Sequence, residues 1–307
     1  IIERYKRREA SVEESLMEMY LAGVSVRRVE DITQALWGTR VSPQTVSNLN
    51  QKIYGKIDEW RNRALDIAYP YVYLDGIWLK RSWGGEVKNV SVLVALGVNE
   101  YGDREIIGVS EGAKEDKASW SSFLRELKER GLTGVRLFIS DKSLGLVESI
   151  PDFYPEAAWQ RCAVHFYRDI MKAVPKTKVE DVMRLAKTIH SQESRGNSEA
   201  KAVFAAQRLR EMKLHKAAAI IEKGASETLS YYSFPPQHWK HIKTNNLLER
   251  VNKEIRRRTR VVGSFPDSKS ALMLVAARLR HIMSSKWGSI RYMNMQLLFD
   301  AEKIMNQ

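Results

Sequence analysis

Apolar positions recur at helical spacing through residues 1–70, and they predict three short amphipathic helices. Gly23 and Gly38 separate the helices, and Ser42-Pro43 opens the third, with serine as a suitable N-cap and proline in the first turn. Two short helices joined by a glycine-containing turn are typical of a helix-turn-helix. Packing of three helices without DNA contact, or a dimer interface, explains the same pattern.

At residue 71 the pattern changes to that of strands. Runs rich in β-branched and aromatic residues occupy 71–79, 90–98 and 105–109, and they predict an antiparallel meander. A helical pattern follows, and then an apolar run at 135–139 leads directly into Asp141. The order of helix, strand and acid is typical of an α/β sheet in which a parallel strand delivers a side chain to the sheet edge.

Helical composition returns in residues 167–235 and 238–263. The later segment has an apolar stripe made of Leu248, Val251, Ile255 and Val262. A neighbouring stripe consists of Glu249, Lys253, Arg256 and Arg260. A carboxylate at the head of a row of cations suits a metal-dependent enzyme that works on a polyanion. A capping box between Asn246 and Glu249 explains the same glutamate equally well.

The charge of the chain favours a polyanionic partner. Fifty Lys and Arg stand against 37 Asp and Glu, which leaves a formal net charge of +13, and this excess of positive charge is concentrated in the C-terminal half, after residue 166. The single cysteine, Cys162, cannot form an internal disulfide and indicates a reducing compartment. No apolar run has the length of a membrane span, and no signal peptide heads the sequence. Because the sequence begins without Met, we interpret it as a fragment.

Three acids from three predicted elements form a candidate catalytic set. Asp75 interrupts an apolar strand, where a carboxylate is costly unless it is paired, hydrogen-bonded or bound to a metal. Asp141 follows the tip of another strand, and Glu249 lies on the basic helix. Three carboxylates are enough to hold two hard cations that share phosphate oxygens of a substrate.

Four motifs carry a family resemblance. They are Tyr-Leu-Asp75-Gly, Ile-Ser-Asp141-Lys-Ser-Leu-Gly-Leu, Trp-Gln-Arg-Cys162-Ala-Val-His165-Phe and Thr-Asn-Asn-Leu-Leu-Glu249-Arg-Val-Asn-Lys-Glu-Ile-Arg-Arg-Arg-Thr-Arg-Val-Val-Gly. In this order they resemble the Mutator-type transposases of bacterial insertion sequences, a DDE family with a ribonuclease H-like catalytic core. The resemblance spans nearly the whole chain.

The resemblance implies an α/β fold in four parts. A helical, helix-turn-helix-like or dimerisation domain at 1–70 precedes a ribonuclease H-like mixed-sheet core. The first part of the core covers 71–166, an all-helical insertion covers 167–235, and the second part of the core, with the glutamate helix, covers 236–307.

The resemblance also implies the chemistry. Asp75, Asp141 and Glu249 are expected to be the catalytic carboxylates and the ligands of two Mg²⁺ ions, for which Mn²⁺ can substitute. The implied reaction is cleavage at the ends of the element and strand transfer through a circular intermediate into target DNA. Double-stranded DNA, a homodimer or larger assembly, no membrane, and a cytoplasmic, nucleoid-associated location are expected. Candidate phosphate contacts are Arg250, Lys253, Arg256, Arg257, Arg258 and Arg260.

Other features limit this interpretation. The family often has a histidine where this chain has Ser143, so Ser143 receives no catalytic role. Cys162 and His165 are two ligands, whereas a closed zinc site needs four, so a structural role near the site is favoured for both. Two alternatives remain: a helix-turn-helix DNA-binding regulator without catalytic activity, and a ribonuclease H-like nuclease that cuts but does not join.

Overall fold

The computed structural model describes residues 53–83, 86–112, 116–262 and 268–305, together with residues 31, 34 and 35. The predicted helix-turn-helix therefore falls largely outside the described residues. Within the predicted N-terminal domain, residues 53–61 are helical, and their buried Ile53 and Ile57 pack into the main core. No helix in the described ranges is both long and apolar enough to cross a bilayer.

Five strands form one mixed sheet. They are β1 (Tyr71–Trp83), β2 (Glu86–Val98), β3 (Arg104–Gly112), β4 (Leu137–Ser140) and β5 (Ala158–Arg161). Their spatial order is β3-β2-β1-β4-β5. The β1–β2 and β2–β3 pairs are antiparallel, which confirms the predicted meander, whereas β1–β4 and β4–β5 are parallel. The fold is therefore α/β, with the meander extended by two short parallel strands.

The sheet is covered on both faces, which explains why apolar residues occupy consecutive positions in much of its central strands. On β1, Tyr71, Tyr73 and Ile77 belong to one buried cluster, while Val72 and Leu74 belong to a second cluster on the opposite face. All five side chains are fully buried. The alternation follows from the two-residue period of a strand, and it means that Asp75 shares the face of Tyr73 and Ile77.

Besides the helical residues 53–61, eleven α-helices are assigned within the described residues. They are α1 (Lys117–Glu129), α2 (Leu144–Phe153), α3 (Ala163–Lys172), α4 (Val179–Lys187), α5 (Arg195–Glu211), α6 (His215–Gly224), α7 (Pro236–Ile242), α8 (Asn246–Val262), α9 (Ser268–Ser284), α10 (Lys286–Ser289) and α11 (Gln296–Met305). Helices α1 and α2 cover the face that carries Val72 and Leu74, and α8 and α9 cover the other. The stretch between β5 and α8 is described throughout, and its regular elements are all helical.

The predicted helix after the meander is present as α1, which buries Trp120, Phe123, Leu124 and Leu127. The sequence pattern did not predict β5, because four residues are too few to show a period and two of them are polar. Gln160 and Arg161 are nevertheless buried, and Gln160 donates to the carbonyl oxygen of Thr228 (2.7 Å). Contacts with the helical region thus stabilise a strand that local composition does not favour.

Candidate active site

The register of the parallel strands places two of the predicted acids side by side. Tyr71 of β1 pairs with Leu137 of β4, and Tyr73 pairs with Ile139. The same offset brings Asp141, the residue after β4 ends, level with Asp75. Paired strands lie about 5 Å apart, and residues at equivalent positions of a parallel pair point to the same face. Asp75 and Asp141 are therefore separated along the chain by the same number of residues as the paired positions of β1 and β4.

Asp75 lies within β1 between the fully buried Tyr73 and Ile77. Its Oδ1 accepts a hydrogen bond from the backbone N–H of Gly76 (2.9 Å). Its Oδ2 accepts a second from Nδ2 of Asn252 on α8 (2.6 Å). A carboxylate in an apolar strand needs such partners, and these two bonds connect the strand with the glutamate helix.

Glu249 lies in the first turn of α8, which packs on the sheet through buried residues that include Leu248 and Val251. The guanidinium of Arg168 on α3 binds its carboxylate with both Nη atoms, at 2.8 Å to Oε1 and 3.4 Å to Oε2. These contacts reach across to another helix, whereas a capping box would turn the carboxylate back to Asn246. The predicted stripe of Leu248, Val251 and Ile255 is buried, and the side chain of Val262 lies outside the described part.

His165, on α3, stands between two of the acids. Its Nε2 is 4.0 Å from Oδ2 of Asp141 and 3.5 Å from Oε1 of Glu249. Arg168 also contacts this nitrogen, at 3.1 Å. Because a guanidinium only donates, Nε2 is the acceptor in this contact. The other ring nitrogen, Nδ1, is buried and has no hydrogen-bond partner within the described residues.

Cys162 lies behind the acids and has a different environment from His165. It is completely buried at the start of α3, and its Sγ accepts a hydrogen bond from the backbone N–H of Asn245 (3.1 Å). Burial raises the pKa of the thiol. Asn245 also donates from Nδ2 to the carbonyl oxygen of Leu74 (3.2 Å). The two hydrogen bonds of Asn245 therefore connect the beginning of α8 to β1 and to the start of α3, and Cys162 is a packed, buried residue there.

A cavity of about 530 Å³ opens beside these groups, and both Asp75 and Glu249 line it. Cations that line the same cavity are Arg168, Lys253, Arg256 and Arg257. Asp141 adjoins the group through its contact with His165. The arrangement combines carboxylates with a cationic wall, as a site for a phosphate-containing substrate requires.

Arg250, the one other predicted DNA contact whose side chain the structure describes, does not line the cavity. It is exposed and lies near Arg104. Burial is the main reason that the pKa of Arg104 lies below its ordinary value, and the charge of Arg250 acts in the same direction. The side chains of Arg258 and Arg260 fall outside the described part of the chain. Ser143 is the N-cap residue of α2.

The donor set suits a hard divalent cation, because Mg²⁺ and Mn²⁺ prefer carboxylate oxygens. Among the residues that the structure describes, no group of three or more His, Cys, Asp or Glu side chains is close enough to hold a metal ion as it stands. Arg168 supplies the positive charge next to Glu249 in this arrangement. The oxygen donors therefore suit such an ion, and an ion that used Glu249 as a ligand would have to replace its bond to Arg168.

Two polar residues of this group were missed at the sequence level. Arg168 follows His165 by three positions, and Asn252 follows Glu249 by three, so each shares a helix face with a residue that the motifs contain. That spacing was the available signal. Their partners are far away along the chain, however, and only the tertiary structure shows the bond from Arg168 to Glu249 or from Asn252 to Asp75.

Comparison with known proteins agrees with the motifs. The family model described as transposase, Mutator family, matches residues 1–288. The transposase for insertion sequence element ISRM5 of Rhizobium meliloti (strain 1021) is 36% identical over 305 residues, which are 99% of this chain and 76% of that protein. The transposase for IS256 in transposon Tn4001 of Staphylococcus aureus is 35% identical over 298 residues, covering 96% and 76%. The transposase for IS1081 of Mycobacterium tuberculosis (strain ATCC 25618 / H37Rv) is 37% identical over 303 residues, covering 98% and 72%.

Proposed function

This chain belongs to the Mutator family of transposases, and we propose that Asp75, Asp141 and Glu249 form its single site for DNA cleavage and strand transfer. The observation that supports the proposal is that these acids, which are far apart along the chain, share neighbours. Asp75 and Glu249 line one cavity, Asp141 and Glu249 both lie against His165, and the parallel register aligns Asp141 with Asp75. Unrelated surface acids have no reason to share these surroundings.

The proposed reaction is an in-line displacement at a phosphodiester. The oxygen of water, or of a DNA 3′-hydroxyl, forms a bond to phosphorus while the bond from phosphorus to the leaving oxygen breaks. Two Mg²⁺ ions held by the three carboxylates would stabilise the negative charge on the attacking and leaving oxygens, and Mn²⁺ would serve as a substitute. Cleavage and joining are the same displacement with different nucleophiles, so one site serves both steps.

The residues of the chain divide the remaining work. Lys253, Arg256 and Arg257 line the cavity and would neutralise phosphates on either side of the reacting one. Arg168 would release Glu249 and turn to the substrate, since its guanidinium is half-exposed and suits two phosphate oxygens. The ring of His165 would fill the space between the Asp141 and Glu249 carboxylates and so limit how closely they approach each other.

The proposal extends to the architecture. A mixed five-stranded sheet that carries two acids on adjacent strands, followed by helices and then a glutamate helix, supports a ribonuclease H-like core with a helical insertion. The proposed parts remain 71–166 and 236–307 for the core, 167–235 for the insertion and 1–70 for a helix-turn-helix-like domain. Assembly as a homodimer on double-stranded element ends and target DNA belongs to the same proposal.

Amide variants test the proposed site. Asp75→Asn, Asp141→Asn and Glu249→Gln remove charge but little volume, so we expect each to fold and to bind DNA while Mg²⁺-dependent activity falls by about a hundredfold or more. The substrate is DNA with the element ends, identified from the inverted repeats that flank the gene, and gel assays separate cut from joined products.

Each outcome decides between the candidate functions. Loss of both products in all three variants supports the transposase site. Cleavage by the wild type without joined product would favour a nuclease, and binding without any metal-dependent product would favour a regulator. A single variant that cuts at the wild-type rate would remove that acid from the site.

A further inference from the structure

Asn252 is a buried polar residue in the wall of the candidate site. It lies on α8 three positions after Glu249, so the two share a helix face. Only 3% of the residue is exposed, and it lines the same cavity as Asp75 and Glu249. Asparagine has modest helix propensity, and its buried amide needs hydrogen-bond partners. Its presence inside this helix therefore calls for a specific contact.

That contact is with the carboxylate of the strand. Nδ2 of Asn252 donates to Oδ2 of Asp75 at 2.6 Å, while the backbone N–H of Gly76 donates to Oδ1. An ionised carboxylate only accepts, so the amide must present its nitrogen to Asp75. The two donors act on different oxygens and together restrict rotation of the Asp75 side chain. Asn252 is thus a direct link between the acid on β1 and the helix that bears Glu249.

The link is not needed to hold α8 on the sheet. The apolar stripe of this helix is already buried, and Asn245 anchors its start through the carbonyl oxygen of Leu74. Moreover, Oδ1 of Asn252 is buried and has no hydrogen-bond partner within the described residues. An unsatisfied buried acceptor lowers stability, so an apolar residue would serve simple packing better. The loss of stability caused by this unpaired oxygen is explained if the amide is needed for its hydrogen bond to Asp75.

We propose that Asn252 is a positioning residue, which orients the Asp75 carboxylate toward Glu249 for binding of the divalent cation. The proposal rests on the metal-dependent function proposed above and assigns no direct contact between Asn252 and DNA. Residues that orient a metal ligand typically change metal affinity by about 10- to 100-fold when they are lost. Without Asn252 the Asp75 side chain would sample orientations that do not face Glu249.

The test replaces Asn252 with leucine, which has a similar shape and no donor. Titration of the DNA-free chain with Mn²⁺ alone, with free Mn²⁺ measured by electron paramagnetic resonance, should show about 10- to 100-fold weaker binding in Asn252→Leu. DNA affinity in EDTA and the unfolding temperature should stay near those of the wild type. If the leucine variant folds poorly, Asn252→Ala replaces it. Alanine also lacks the amide donor, and we expect the same loss of Mn²⁺ affinity.

A second readout separates positioning from general damage. In cleavage assays the Mg²⁺ concentration at half-maximal rate should rise in Asn252→Leu, while the rate at saturating Mg²⁺ recovers toward the wild-type rate. The matched control is Asn245→Ala, which removes the other asparagine bond between α8 and β1 but does not touch the carboxylate. It should lower the unfolding temperature and leave Mn²⁺ affinity unchanged. Equal weakening in both variants would show that helix anchoring causes the effect and would overturn the proposal.

Failure of this proposal is distinguishable from failure of the proposed function. Unchanged Mn²⁺ affinity in Asn252→Leu, together with a clear loss in Asp75→Asn, would overturn the positioning role and leave the metal site intact. Wild-type Mn²⁺ affinity in Asp75→Asn would overturn the metal site itself, and the role of Asn252 with it.

Discussion

Arg168 and Glu249 show how single residues balance charge at this site. Asp141 and Glu249 both lie against His165, and Asp75 and Glu249 line one cavity, so these negative charges repel one another. The guanidinium of Arg168 binds both oxygens of Glu249 and also contacts His165, which lies against Asp141. Its positive charge therefore offsets part of the repulsion. The same guanidinium competes with any cation that uses Glu249 as a ligand.

This competition gives the first prediction. Arg168→Ala should bind Mn²⁺ more tightly than the wild type in the absence of DNA, because Glu249 no longer has to leave an ion pair. Half-exposed ion pairs are worth up to about 1 kcal/mol, so the gain should be up to about fivefold. Isothermal titration with Mn²⁺ measures it. Lys172→Ala removes a more exposed cation of the same helix and should bind like the wild type. Weaker binding by Arg168→Ala would contradict the competition.

The sequence predicted the acids but not their neighbours. Asp75 was recognisable because a carboxylate is out of place in an apolar strand, and Glu249 because it heads a basic stripe. Arg168 and Asn252 look like ordinary polar positions of amphipathic helices. Their partners lie 81 and 177 residues away along the chain. Such contacts depend on how helices pack on the sheet, which local patterns do not specify.

At the scale of elements, the helical region between β5 and α8 contains a buried histidine with two partners. His190 contacts the hydroxyls of Tyr167 and Thr228 at 2.7 Å each, and both partners are distant along the chain. Burial is the main cause that lowers the pKa of His190 to about 4, and Lys243 acts in the same direction. The ring is therefore neutral in the folded protein at neutral pH.

A pH-dependent loss of stability follows. Below an ordinary histidine pKa of about 6.5 the unfolded chain binds a proton that folded His190 does not bind until about pH 4, so acid favours unfolding in this window. Between pH 7 and pH 5, His190 should reduce the free energy of unfolding by about 2 kcal/mol. His238 and His241, whose pKa values burial also lowers, add to the loss with the same sign.

Urea unfolding at the two pH values measures this contribution. His190→Gln is less stable at both, because it alters two hydrogen bonds, but its difference between pH 7 and pH 5 should be smaller than that of the wild type by about 2 kcal/mol. The exposed His215→Gln serves as the control and should keep the wild-type difference. If His190→Gln shows the wild-type difference, the buried ring does not carry the pH dependence.

Element boundaries divide into those that local pattern determines and those that it does not. The meander and α1 were predictable because long β-rich runs and a buried helical stripe are strong local signals. Strand β5 and helix α2 were not predicted. The first has four residues, and the second contains Pro151, which argues against a helix at the sequence level. Tertiary contacts determine both.

In the molecule as a whole, the parallel pairing of β1 with β4 and the packing of α8 on the sheet bring distant parts of the chain to the middle of β1, next to the point where its pairing with β4 stops. Cations of α8 and α3 surround the acids there. Part of the excess of positive charge after residue 166 therefore lies at this site. We propose that the three carboxylates of this arrangement act together as metal ligands in DNA strand cleavage.

Exchange of the ligand atom tests that claim. Asp75→Cys and Asp141→Cys replace a hard oxygen ligand by sulfur, which binds Mg²⁺ poorly and Mn²⁺ better. Asp103→Cys, in the turn between β2 and β3, is the control for a new thiol. The most direct measurement is the ratio of the DNA cleavage rate in Mn²⁺ to the rate in Mg²⁺. We predict that this ratio rises at least about tenfold in both ligand variants and stays at the wild-type value in the control. A wild-type ratio in either ligand variant, with cleavage retained in Mg²⁺, would contradict the account.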